Sequence, residues 1–171
     1  MMFKTIATAI ILGSLGFYAG LASAGDLDQP WKSSPTMIEK GKASFQVNCV
    51  VCHGAEGRGD GSASAAYNPK PRDFTNGAGW KKARKPSLTF QTITRGLSGT
   101  AMAGFDGLPA VERLALAHYV LSLGPSPEAD SAADLKLVGI DPAVKGGGLA
   151  DQSASIPIKA AIEFYAEDGK H

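Results

Sequence analysis

The only two cysteines of this 171-residue chain stand three positions apart, and a histidine directly follows the second: Cys49, Cys52 and His53, within "NCVVCHGAEGRGDG". Two thiols at this spacing have several uses, and most of them ignore the histidine. An exported pair can simply form a disulfide. A thioredoxin-like redox site needs its CxxC beside a βαβ pattern, whereas the surrounding residues read as helix. A structural zinc ion needs four ligands, and only His53, His118 and His171 can join the thiols. Covalent haem attachment uses all three groups. Cysteines at i and i+3 share one face of a helical turn, so both sulfurs reach the two vinyl groups of one porphyrin. The next imidazole then meets the iron as proximal ligand, which makes Cys49, Cys52 and His53 the expected haem c site, one haem per chain.

The glycines behind His53 do not make a phosphate loop, because no Gly-Lys-Ser/Thr and no preceding strand accompany them. Nor does Asp60-Gly61 complete a calcium loop, since the other carboxylates are missing. They are expected to turn the chain sharply beside the haem edge.

These side chains must be held by helices. "PTMIEKGKASFQVNCVVCH" (Pro35 to His53) reads as one helix entering the motif. "PSLTFQTITRG" (Pro86 to Gly96) reads as a shorter helix, and "LPAVERLALAHYVLSLG" as a third. In the last, Pro109 suits the first turn, Glu112 complements the N-terminal dipole, and Gly124-Pro125 stops the helix. No run alternates with a period of two, so the body is expected to be all-α.

Residues 1–24 read as a cleaved signal peptide: Lys4, an apolar run from Ile6 to Leu21, then Ala22-Ser23-Ala24 before Gly25. The expected destination is the periplasm. Residues 25–124, the expected haem domain, hold 12 basic and 8 acidic side chains; residues 125–171 hold 4 and 8. A mildly basic body with an acidic tail calls for no nucleic-acid partner and directs the search for electrostatic partners to local patches. One such patch is Lys70, Arg72, Lys81, Lys82, Arg84 and Lys85, with Asp73 the only acid among them, a candidate for docking an acidic redox partner.

From Met37 to Leu123 the chain resembles class I c-type cytochromes. "KGKASFQVNCVVCHG" is similar to the family's N-terminal helix, with Gly41 and Phe45 where a small residue and an aromatic meet the C-terminal helix. "AHYVLSL" is similar to that helix, with Tyr119 at the aromatic position, and "GTAMAGF" to the loop presenting a distal methionine. The resemblance implies the cytochrome c fold, His/Met axial ligation and electron transfer. It also implies that a proline carbonyl, from Pro69 or Pro71, orients His53, while Arg72 and Trp80 are open between propionate binding and packing.

Met102 can be reached without the family. After signal removal only Met37 and Met102 remain. Met37 precedes Cys49 on the same expected helix by about 18 Å, so an apolar contact suits it better. Met102 follows His53 at a distance that lets the chain pass round a porphyrin, and its neighbours are small. His118 falls at helical spacing with Val111, Leu114 and Leu121, as a packed, hydrogen-bonded residue would. With His53 and Met102 both on the iron there is no open position for a small-molecule substrate, so an electron carrier between donor and acceptor proteins is expected rather than an enzyme. The alternatives are a haem subunit of a larger dehydrogenase or respiratory complex, and a haem enzyme or gas sensor.

Residues 125–171 read as linker and extension. "GPSPEADSAAD" and "KGGGLADQSAS" are linker-like, while "LKLVGI" and "IPIKAAIEFYA" are apolar. Ile156 to Ala166 is expected to form a short helix. The helix ending at Leu123 is apolar on two sides, so the tail or a partner should cover the side that the haem body does not.

Overall fold

A computed structural model describes residues 28–80 and 82–151. Five α-helices succeed one another: α1 (Pro35–Asn48), α2 (Val50–His53), α3 (Pro86–Arg95), α4 (Ala110–Ser122) and α5 (Ala132–Leu137), with 3₁₀ turns at Ser64–Ala66 and Lys145–Asp151. Among the described residues there is no strand, and no helix is long and apolar enough to cross a membrane. The expected all-α class is what the chain adopts.

α1 starts where Ser34 Oγ accepts the Met37 N–H at 3.2 Å and Pro35 fills the first turn. The single helix expected from Pro35 to His53 is broken at Cys49, whose φ of −120° leaves helical space before the one-turn α2 begins. Cys49 still accepts the His53 N–H at 2.9 Å, so the two cysteines stay one turn apart on one side of the chain. α1 packs on α4 closely enough that a Cβ at Gly41 would run into the Ala115 carbonyl. Only glycine permits that approach. One turn on, the Phe45 ring meets Tyr119 edge-on at 5.2 Å, and Ser44 Oγ donates to Glu112 at 2.7 Å. Phe45, Leu114 and Leu116 are all at most 1% exposed, and burying each such side chain is worth ~1.5–3 kcal/mol. This crossing fixes where α2 ends, and hence where His53 stands.

Residues 125–151 are not a free tether. Leu135, Val138, Ile140 and Leu149 join the buried cluster that holds Leu114 and Ala117 of α4. Gly146 donates its N–H to the Asp28 carbonyl at 2.8 Å, which ties this extension to the start of the described chain. Linker-like composition here marks a strap without long helices, held by a few apolar anchors. Residues Ile156 to Ala166 lie outside the described residues, as do residues 1–24.

His118, on α4, is 3% exposed, and its Nε2 donates to the Pro30 carbonyl at 3.0 Å. Burial lowers its pKa below the ordinary 6.5. The folded chain then resists a proton that the unfolded chain accepts, so stability is full above pH 6.5 and falls as pH drops through the folded value. The melting temperature should therefore decline as pH falls below 6.5, and His118→Gln, which keeps an N–H donor, should flatten that slope. An unchanged slope in the variant would assign the decline to other groups.

Candidate functional site

Cys49, Cys52 and His53, from the end of α1 and from α2, line one cavity of about 700 Å³, and Met102 lines the same cavity from the loop after α3. Ile93 of α3, Leu116 and Val120 of α4, and Phe105 present hydrocarbon to it. Met37 is fully buried in the core and His118 is bonded to Pro30; neither lines the cavity. His171 lies outside the described residues.

His53 is aimed by the main chain. Its Nδ1 lies 3.1 Å from the Arg72 carbonyl, which accepts that proton and leaves the Nε2 lone pair for a metal. The expected Pro69 or Pro71 carbonyl is not the acceptor, and the reason is a turn. Gly59, at φ 74°, brings the chain so close to the Pro71 carbonyl that a Cβ would collide with it, so this oxygen is turned toward the glycine loop. The next carbonyl, that of Arg72, is the one that faces the imidazole. Burial lowers the His53 pKa, opposed by that hydrogen bond, and the neutral ring is the form that binds a metal. Phe74 stacks on the imidazole at 4.4 Å and restricts its rotation.

The cysteines are free and half-buried. Burial, helped by Cys52, pushes the Cys49 thiol up to about 11. A dithiol redox centre needs the opposite shift, because the thiolate is the reactive form. A structural zinc site lacks donors: among the described residues no group of three or more His, Cys, Asp or Glu side chains could hold a metal ion.

The donors on the wall also suit a haem. Trp80 Nε1 is buried without a hydrogen-bond partner on a residue that lines the cavity. A buried indole N–H left unmet costs free energy, and a propionate oxygen is the kind of acceptor that would satisfy it. Arg72 lines the cavity too, donates from Nη1 to the Gly79 carbonyl, and places its guanidinium 5.0 Å from the Trp80 ring. An apolar cavity bearing two thiols, an imidazole, a thioether and an orphaned donor fits a haem.

Two members of the basic run, Arg84 and Lys85, are held by other parts of this chain. Arg84 is 9% exposed, donates from Nη2 to the Leu121 and Pro125 carbonyls at 2.9 Å, and lies 4.4 Å over the Trp80 ring. Lys85 is paired with Asp134 at 2.9 Å. Lys81 lies outside the described residues, which leaves Lys70 as the exposed member of the run that the structure describes. Arg84 looked like a surface charge because local sequence carries no sign of the α4 carbonyls that receive it.

The family model described as Cytochrome c matches residues 38–124. Among solved structures, a chain of the Kuenenia stuttgartiensis reducing HAO-like protein complex is 35% identical, with a TM-score of 0.50 over 58% of this chain and 49% of that one. This chain thus spans about half the length of that relative. No curated protein matches.

Proposed function

This chain belongs to the cytochrome c family, and from that premise we propose that it holds one covalent haem c and passes single electrons between redox proteins of the periplasm. Haem-based electron transfer is the family's role; the single haem, its ligands and the compartment are our reading. One observation carries it: Cys49, Cys52, His53 and Met102 converge on one apolar cavity. When bound there, the haem supplies one-electron exchange between ferric and ferrous iron.

The chain's own residues do the rest. Cys49 and Cys52 would supply the sulfurs of two thioether links. His53 offers Nε2 because its Nδ1 is held by Arg72. Met102 offers a thioether, a ligand that favours the ferrous form and raises the potential. Were His53 and Met102 both to hold the iron, no position would be left for a small-molecule substrate. Ile93, Phe105 and Leu116 line the cavity with hydrocarbon that would keep water from a bound ring, and Trp80 Nε1, buried without a partner, would donate to a propionate. Export is supported by the Ala22-Ser23-Ala24 sequence before Gly25.

A potentiometric titration of the purified haem protein should follow a one-electron curve, and the ferrous form should leave carbon monoxide unbound. Rapid carbon monoxide binding by the native protein would point to a sensor or enzyme instead. A second reading, a haem subunit of a larger dehydrogenase or respiratory complex, is favoured by the likeness to a chain of a multiprotein complex. The size of the native material separates the two: a shuttle elutes alone, a subunit elutes with its partner.

A further inference from the structure

The first turn of α3 has no side-chain cap of its own. Its N-cap residue, Lys85, makes no side-chain hydrogen bond there, and Pro86 has no N–H to give. The cap comes from the strap instead. Asp130 accepts the Ser87 N–H at 2.9 Å and the Ser87 hydroxyl at 2.5 Å, through its two carboxylate oxygens. Two further ties flank it: the Glu128 N–H donates to the Arg84 carbonyl at 2.9 Å, and Asp134 pairs with Lys85. These residues fall beyond the stretch matched by the family, 38–124. A segment outside the family domain thus closes a helix inside it.

The other end of α3 holds the Met102 loop. Phe105 donates its N–H to the Ile93 carbonyl at 2.9 Å, and Leu97 donates its own to the Met102 carbonyl at 3.0 Å. Between the two ends, Leu88, Thr89, Thr92 and Ile93 line the cavity. We propose that Asp130 is a positioning residue for the distal side of the haem site: by capping α3 it holds the helix from which the Met102 loop hangs. The proposal rests on the reading of Met102 as distal ligand. A ten-residue helix anchored at both ends moves little; released at its N-terminus, it frays from there toward the loop.

The test compares native protein with Asp130→Ala and Asp130→Asn, full-length and haem-loaded. Deuterium uptake in the stretch 86–105 should quicken about tenfold in Asp130→Ala, the size of one lost helix cap, with 35–53 unchanged. Carbon monoxide should bind ferrous Asp130→Ala faster than native protein. Asp130→Asn, which keeps an oxygen acceptor for the Ser87 N–H, should recover most of both effects. Uptake unchanged in 86–105, or raised equally in 35–53, would overturn the proposal. Native protein that binds carbon monoxide as fast as Met102→Ala would instead overturn the ligand reading, and the exchange comparison would still decide whether Asp130 holds α3.

Discussion

Changing Cys49 and Cys52 together to alanine should yield a chain whose mass equals the bare polypeptide, even from a host able to mature c-type haem. The native chain should carry one haem that survives denaturation and acid–acetone extraction. The expectation follows from the geometry at the end of α1: both thiols stand one turn apart on the wall of the same cavity, beside an imidazole whose Nδ1 is already held. Loss should extend to stability. Without its ring the cavity wall loses cover for several apolar side chains, each worth ~1.5–3 kcal/mol when buried. A domain of this size should then melt lower by at least about 10 °C. Either single variant keeps one thioether, so its haem should still resist extraction. Covalent haem in the double variant would break the assignment of both cysteines.

How much of this was legible in the sequence divides along a physical line. Groups that act through side chains at fixed local spacing were readable, namely the Cys49-Cys52-His53 turn and the two-sided apolar pattern of α4, while the meeting of Gly41 and Phe45 with α4 was implied by the family resemblance. Helical periodicity and short motifs encode such contacts within a few residues. The acceptor for His53 was not readable, because a carbonyl has the same chemistry at Pro69, Pro71 and Arg72. Only the turn at Gly59 decides which one faces the ring. Arg84 and Lys85 were misread for a related reason. Their partners at Leu121, Pro125 and Asp134 lie far along the chain, and a charge run looks the same whether solvent or a helix end receives it. Asp130 sits in a linker-like stretch, and its role as a cap depends on a helix that ended 35 residues earlier at Arg95. Long-range polar contacts leave no local signature, and here they tie the extension to the haem body.

Met102→Ala and Met37→Ala should part company in a way that identifies the distal ligand. Met102 is half-buried on the cavity wall, so truncation removes a thioether from the site while costing little packing. The ferrous variant should bind carbon monoxide readily, and its potential should fall by on the order of 0.1 V, a fraction of the ~0.8 V range that axial ligands span. Met37 is fully buried in the core beside the start of α1. Its truncation leaves a void costing ~2–5 kcal/mol, so the melting temperature should drop while spectrum and potential stay native. Should Met37→Ala fail to accumulate, Met37→Leu conserves volume and carries the same spectral expectation. The opposite pattern, with the spectrum changed by Met37→Ala and kept by Met102→Ala, would mean that the loop after α3 packs against the ring without ligating it, and the distal position would have to be sought elsewhere in the chain.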